Sequence, residues 1–180
     1  MTKNINTPDL KVTEVQIEPL TQANFSDFGN VIETKNATHF PINDGRVERY
    51  HDLASVQLSG ENSRALINIF ECNVASQLPY QLPIMERHPI GSQAFIPLTQ
   101  IKFVVVVGKA GDHPQPEELR AFESNGHQGI NYYQGVWHMP LIADEIGLRF
   151  LVVDRGGDGH NCDEKGYSDE QRILIVRQAE

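Results

Sequence analysis

The sequence predicts an all-β protein, mainly a sandwich or barrel of short strands with a few short helices. Short apolar segments follow one another at close and regular spacing, and turn-forming residues separate them. No long helical pattern alternates with these segments, which disfavours a doubly wound α/β fold. The length of 180 residues suits one domain with a sizeable core, so we expect a single domain over residues 1–180.

The start of the chain is predicted to contain an extension, a strand and a short helix. Residues 1–11 are polar and are expected to form a loose extension. Val15 and Ile17 alternate with polar neighbours, as in a half-buried strand. Thr21 is a suitable N-cap for a short helix that runs through Phe28.

The rest of the chain is dense in strand signals. Asn43-Asp44-Gly45 is a strong hairpin turn. Strands are predicted at residues 65–71, 82–88, 92–98, 103–107, 130–133, 136–142 and 148–154. Residues 117–122 are predicted as a short helix, and the tail after residue 168 suits either a brief helix or a last strand at residues 173–176.

Charge and cysteine usage limit the classes of partner. The net charge of −9 opposes phosphate backbones and anionic membranes, and no run of Lys or Arg compensates for it. We therefore expect neither nucleic acid nor a membrane as a partner. Cys72 and Cys162 lie far apart and form no CxxC pair, which suits a reducing compartment. Because residues 1–10 carry no apolar signal region, a cytoplasmic location is expected.

The first polar cluster is Glu48-Arg49-Tyr50-His51-Asp52. A solvated edge strand is one interpretation of this segment, and a functional site is the other. In a strand, Glu48, Tyr50 and Asp52 would share one face, and Arg49 and His51 would share the other.

The second and third clusters each place a histidine on a predicted strand. Glu86 and His88 are two residues apart, so they share a strand face, and Gln93 follows on the next strand after a turn. His138 lies within an otherwise apolar strand, where a histidine is either a buried core residue or a ligand. Tyr132 lies shortly before it and is a candidate for packing.

A fourth cluster, residues 153–163, is rich in glycine and aspartate and contains one histidine. It has neither the spacing of an EF-hand nor the lysine of a P-loop, so we interpret it as a turn that closes the last long strand.

Together these clusters resemble the ureidoglycolate lyase family of allantoin catabolism. The resemblance covers residues 15–164 and rests on six segments taken together: Asn43 to Ala54, Glu86 to Pro97, Leu119 to Phe122, Gly129 to Leu141, Asp154 to Gly157, and Asn161 to Asp163. It implies a cupin-like β-barrel, usually dimeric, and a lyase that splits ureidoglycolate into glyoxylate and urea.

The resemblance also allows a comparison with the typical cupin metal site, which uses His-x-His, then Glu, then a later His. Glu86 stands at the first position, His88 at the second, Gln93 where Glu is usual, and His138 at the last. Glu86, His88 and His138 would form a three-ligand set for a divalent transition ion. The family is similar to enzymes described as using nickel, so Ni²⁺ is the favoured metal.

Carbon–nitrogen cleavage of ureidoglycolate needs a base for the hydroxyl proton, an acid for the urea nitrogen, and a cation for the carboxylate. His88 and His138 suit the acid and base roles, and Glu86 joins them if burial raises its pKa. Arg49 is preferred for the carboxylate because alternation turns Arg87 away from the cluster. The remaining substrate contacts are assigned to Gln93, Tyr50 and Tyr132.

Three alternatives remain open at this point. A ureidoglycolate amidohydrolase would release ammonia, but it would need a firm metal centre. A catalytically silent cupin would bind a small carboxylate with the same residues. A sugar-epimerase-type cupin is a weaker alternative, since no nucleotide-sugar signature is present.

Overall fold

The computed structural model describes residues 11–168 and 170–178, and these residues form an almost entirely β structure. The prediction of a mainly all-β, cupin-like barrel with few short helices is confirmed. The helical segments are α1 (Gln22–Phe25) and a 3₁₀ turn (Pro116–Glu118). The strands are β1 (Lys11–Pro19), β2 (Gly29–Ile32), β3 (His39–Ile42), β4 (Val47–Tyr50), β5 (Arg64–Glu71), β6 (Tyr80–Gln81), β7 (Ile84–Arg87), β8 (Gln93–Pro97), β9 (Val104–Gly108), β10 (Arg120–Glu123), β11 (Gly129–Tyr132), β12 (Trp137–Ile142), β13 (Arg149–Gly156), β14 (Asp163–Gly166) and β15 (Gln171–Val176).

The strands form two main sheets and one separate hairpin. The eight-stranded sheet has the order β14-β7-β12-β9-β10-β1-β15-β6, and the five-stranded sheet has the order β2-β11-β8-β13-β5. Among the described strands, β3 and β4 pair only with each other. Strand β1 runs parallel to both β10 and β15, whereas the other pairings are antiparallel among the described residues.

Alternation along β9 and β12 divides the apolar side chains between two cores. Val105 and Val107 face the five-stranded sheet, where they pack with aromatic residues such as Phe150. Val104 and Val106 face the other way, into a second core enclosed by the eight-stranded sheet. An eight-stranded sheet that packs on both faces must be apolar on both, which explains the continuous valine run of β9. The first core supports the candidate site described below.

Three local predictions were wrong in part. The polar extension was predicted to include Lys11, but β1 begins at that residue; residues 1–10 lie outside the described ranges. Helix α1 has the predicted cap, since the Thr21 hydroxyl accepts a hydrogen bond from the Asn24 amide, but it ends at Phe25. Residues 117–122 are not one helix, because Arg120–Glu123 pairs with β9 and β1 instead.

The structure also decides the form of the C-terminal tail and of the turn predicted at residues 43–45. The tail forms β15, the strand alternative, and Ile173 and Ile175 are fully buried there. The predicted turn is closed by the Arg46 amide, which donates to the Asn43 carbonyl at 3.2 Å, and its central residues Asp44 and Gly45 have positive φ, 55° and 78°, as a tight hairpin turn requires. Within the described ranges, neither helical segment has the length and apolar character needed to cross a lipid bilayer.

Candidate active site

The site lies between the two sheets, where polar residues of facing strands meet. Glu86 on β7 is directly opposite His138 on β12 in the eight-stranded sheet. In the five-stranded sheet, Tyr132 on β11 is directly opposite Gln93 on β8. The Tyr132 ring stacks on the His138 imidazole with a centroid separation of 4.2 Å, so the two pairs are in contact across the interior.

Glu86, His88 and His138 converge within ligand distance of one another. The Glu86 Oε1 atom lies 3.3 Å from His138 Nε2 and 4.0 Å from His88 Nε2. One ligand atom from each of the three residues falls within 4.8 Å of the others. His138 is only 1% exposed, and the other two side chains are mostly buried.

Backbone carbonyls set the tautomers of both histidines. His88 Nδ1 lies 2.6 Å from the Asn161 carbonyl oxygen, and His138 Nδ1 lies 3.0 Å from that of Val136. A carbonyl only accepts, so each Nδ1 carries a hydrogen and each neutral ring presents a lone pair at Nε2. Both Nε2 atoms are buried and have no hydrogen-bond partner among the described residues. Three acceptors therefore face one another, and a shared proton or a divalent cation would satisfy them.

Burial and neighbouring histidines have opposite effects on the pKa of Glu86. Burial by itself raises the pKa of this carboxyl, but the close approach of His138, whose Nε2 atom lies 3.3 Å away, and the nearby His88 outweigh burial and lower the pKa. Glu86 is thus held as a carboxylate, which suits a metal ligand or a base. The condition under which Glu86 would serve as a general acid, a raised pKa, is therefore not met.

A second polar group extends the site along the inner face of the five-stranded sheet. Burial raises the pKa of Asp154 on β13, although hydrogen bonding from Gln93 and Asn68 and the charge of His88 oppose that rise. The Asn68 Nδ2 atom donates to Asp154 Oδ1 at 2.9 Å. The Gln93 Oε1 atom is buried and unpartnered among the described residues. The Gln93 side chain therefore hydrogen-bonds to Asp154, and its Oε1 atom remains available as an acceptor.

The turn between His88 and Gln93 depends on a glycine. A Cβ atom at Gly91 would lie 2.6 Å from the Cβ of Arg155, closer than two such atoms approach. Glycine therefore lets the turn pack directly on β13. This close packing fixes the spacing between His88 and Gln93.

Known proteins of one family are similar to this chain over most of its length. The family model described as ureidoglycolate lyase matches residues 12–174. The ureidoglycolate lyase of Stutzerimonas stutzeri (strain A1501) is 49% identical over 159 residues, which cover 88% of this chain and 93% of that protein. The ureidoglycolate lyase of Azotobacter vinelandii (strain DJ / ATCC BAA-1303) is 48% identical over 165 residues, 91% of this chain and 98% of that protein.

The chain belongs to the ureidoglycolate lyase family. The matched range contains every residue of the Glu86–His88–His138 cluster and the strands that carry it. The resemblance inferred from the sequence segments is confirmed. Glu86, His88 and His138 lie together, and Gln93 is linked to them through Tyr132, which is opposite Gln93 and stacks on His138.

Two of the predicted substrate contacts of this ureidoglycolate lyase family member lie elsewhere. Arg49 and Tyr50 are on β4, in the exposed hairpin. The Arg49 guanidinium lies over the Phe40 ring of β3, with 5.7 Å from its central carbon to the ring centroid. Within this chain the structure does not bring either residue to the cluster, and their roles stay predictions.

The arginines that adjoin site residues in sequence are already engaged. As alternation predicts, Arg87 faces away from Glu86: its Nε atom donates to Asp163 at 2.7 Å, and its guanidinium lies over Trp137. Arg155 is 7% exposed and donates to backbone carbonyls of Ser59, Glu61 and Asp158. Neither is available for a substrate carboxylate.

Sequence reasoning missed Asn68 and Asp154 as part of the site. The available signal was their position: each is a polar residue in the run of inward-facing positions of an otherwise apolar strand. Glu164 was missed too, and it lies directly opposite Glu86 on β14. Strand β14 has the sequence Asp-Glu-Lys-Gly, which carries no strand signal of its own.

Proposed function

We propose that this protein is a lyase that splits ureidoglycolate into glyoxylate and urea, and that residues 1–180 act as one catalytic domain. The main support is the cluster of Glu86, His88 and His138, whose acceptor atoms lie within 4.8 Å of one another. The chain that carries this cluster belongs to the ureidoglycolate lyase family. Cleavage requires proton movement at two atoms of one carbon centre, and this cluster concentrates acid–base groups at one place.

The substrate carbon bears a hydroxyl group, a carboxylate and a urea nitrogen. One acceptor of the trio takes the hydroxyl proton as the carbonyl of glyoxylate forms, and a protonated imidazole returns a proton to the departing urea nitrogen. Glu86 is held as a carboxylate, and its Oε1 atom lies 3.3 Å from His138 Nε2, so the two groups are placed to pass a proton between them. The Tyr132 hydroxyl and Gln93 Oε1 are buried and unpartnered among the described residues, so they are suitable contacts for the ureido group.

The trio also suits a divalent cation. Two buried imidazole nitrogens and one carboxylate form a mixed donor set that transition ions accept, and we propose nickel as the ion, held by Glu86, His88 and His138. Bound there, it would supply Lewis acidity toward the hydroxyl and carboxylate oxygens of the substrate.

We further propose a homodimer in the cytoplasm. The two cysteines, Cys72 and Cys162, are both free, in keeping with a reducing compartment. Several large apolar side chains on the described surface are exposed, which favours association with another protein surface.

Product analysis tests the reaction. Purified protein is incubated with ureidoglycolate, and glyoxylate, urea and ammonia are measured against a protein-free control. Urea in equal amount to glyoxylate supports the lyase. Ammonia in place of urea indicates an amidohydrolase, and substrate binding without glyoxylate indicates a silent binding module.

His138→Ala should abolish turnover, whereas His127→Ala, at an exposed histidine outside the cluster, should retain it.

A further inference from the structure

The β3–β4 hairpin is amphipathic, although no strand of the described chain covers it. In antiparallel register His39 is opposite Tyr50, and Phe40 is opposite Arg49, so opposite residues share a face. One face is polar and internally paired, with His39 Nδ1 lying 2.6 Å from Glu48 Oε1. The other face carries four side chains: Phe40, Ile42, Val47 and Arg49.

An uncovered hairpin of this kind needs another surface. Phe40 is 39% exposed and Val47 is 46% exposed. An isolated two-stranded hairpin is at best marginally stable in water, and its apolar face gains stability only when it is buried. Both side chains thus keep a large exposed area within the described part of the chain, which leaves this apolar face available to a second molecule.

The apolar face of the hairpin also carries a cation. Arg49 has no carboxylate partner within the described ranges and lies over the ring of Phe40. Burying this face removes the guanidinium from water, which is costly unless the guanidinium meets an anion. A guanidinium that is buried with three apolar neighbours is well suited to bind an organic carboxylate bidentately.

An unpaired sheet edge lies beside the candidate active site. Strand β5 is the end strand of the five-stranded sheet, and its outer edge pairs with no other described strand. Phe70 on β5 is opposite the fully buried Phe150, so it faces the interior, yet it is 44% exposed. The barrel is thus open along β5, the strand whose Asn68 contacts Asp154 of the site.

We propose that the β3–β4 hairpin docks along the β5 edge of a second copy of the chain and delivers Arg49 to the Glu86–His88–His138 cluster of that copy. A strand added at a free sheet edge continues the alternation of that sheet. The apolar hairpin face then covers Phe70 and closes the barrel, and Arg49 supplies the cation that Arg87 and Arg155 cannot.

The base of the hairpin favours delivery to the partner over delivery within the chain. The His51 amide donates to the Thr38 carbonyl at 2.8 Å, which closes the hairpin at its base. The segment that follows is fixed to its own barrel by the Asn131 side chain, which donates to Ser55, and by the bonds between Gln57 and Ser92. The hairpin itself pairs with no other described strand, so its apolar face can meet a second barrel that a two-fold axis presents to it.

The first experiment measures mass in solution and does not depend on catalysis. Sedimentation velocity of the full chain should show a dimer. Val47→Ser and Phe40→Ser should shift it to monomer with unchanged circular dichroism. Val12→Ser is the matched control, because Val12 on β1 is 49% exposed and lies outside the hairpin, and it should remain dimeric. A monomeric wild type, or hairpin variants that stay dimeric, would overturn the docking.

The second experiment tests which site Arg49 serves, and it rests on the proposed function. Differently tagged chains are co-expressed, and mixed dimers are purified through both tags. A dimer of an Arg49→Ala chain with a His138→Ala chain retains one complete site if Arg49 acts on the partner, so about half of the wild-type activity is expected. A dimer of wild type with a chain carrying both substitutions should then be inactive.

The opposite pattern would overturn delivery to the partner. If Arg49 serves its own chain, the first mixed dimer is inactive and the second keeps about half of the activity. If both mixed dimers remain active, Arg49 serves neither site and the delivery is refuted. If wild-type protein forms no urea, the lyase proposal fails, while sedimentation still decides whether the hairpin docks on a second copy.

Discussion

The ring of Tyr132 lies almost parallel to that of His138, with 16° between the planes, and its hydroxyl is buried without a partner among the described residues. A buried hydroxyl without a partner costs stability, on the order of 1–3 kcal/mol. The stack positions the imidazole, whereas the hydroxyl does nothing for the free protein. The two parts of the side chain can therefore be tested separately.

Tyr132→Phe keeps the stack and removes the hydroxyl. We expect the melting temperature to be unchanged or higher. We expect kcat/KM for ureidoglycolate to fall roughly 10- to 100-fold, because a hydrogen bond to a charged or strongly polar partner contributes about that much to transition-state binding. Thermal unfolding and urea formation measure the two effects. Unchanged kcat/KM would remove the hydroxyl from the set of substrate contacts.

Metal removal should affect both occupancy and turnover. Because two imidazole nitrogens and one carboxylate hold the proposed ion, Glu86→Gln should lower the nickel content measured by elemental analysis, and chelation of the wild type should lower turnover. Re-addition of Ni²⁺ should restore it. Glu71→Gln, at an exposed glutamate on β5 outside the cluster, is the control and should keep the wild-type metal content. Full activity of demonstrably metal-free protein would contradict a metal requirement.

Gln93→Glu would place a second carboxylate beside Asp154. Burial already raises the pKa of Asp154, and another negative charge would raise it further. We expect a loss of roughly 1–3 kcal/mol in the free energy of unfolding at neutral pH. A raised carboxyl pKa destabilises the fold where the group is ionised, so the loss should disappear as the pH falls toward about 4. Gln100→Glu, at an exposed position, should show neither effect in urea denaturation.

His113 should make the fold sensitive to mild acid. It lies between the rings of Trp137 and Tyr167, and burial, aided by the charge of Lys165, lowers its pKa below the ordinary value of 6.5. Below about pH 6.5 the unfolded chain binds a proton that the folded chain does not, so stability falls as the pH decreases.

His113→Phe keeps an aromatic ring and removes that titration. Denaturation at a series of pH values should show a smaller loss of stability on acidification than in the wild type. His127→Phe, at an exposed histidine, should follow the wild-type profile. Identical acid profiles for His113→Phe and the wild type would contradict the assignment.

The residues of the cluster could be predicted because strand alternation and one short turn bring them together. Glu86 and His88 share a face by their spacing, and the turn before Gln93 is evident from its proline and glycine. The stacking of Tyr132 on His138 could not be predicted, since it depends on how the two sheets face each other.

The local errors have a similar origin. Residues 120–123 look helical in isolation, but their backbone groups pair with β9 and with β1, a strand about 100 residues away in sequence. Strand β14 is polar throughout, and within residues 11–168 and 170–178 it pairs with β7 alone. Long-range pairing of this kind overrides local propensity, and it is invisible in a window of neighbouring residues.

The parallel pairing of β1 with β15 joins residues roughly 160 positions apart, such as Lys11 and Gln171. During synthesis the β1 strand therefore leaves the ribosome long before its partner exists. Val15 packs in the same core as Ile173 and Ile175, so until β15 emerges that face of the growing sheet lies open to water. We expect the nascent chain to be most vulnerable to aggregation in this interval, and to gain its final stability abruptly when the last strand is added.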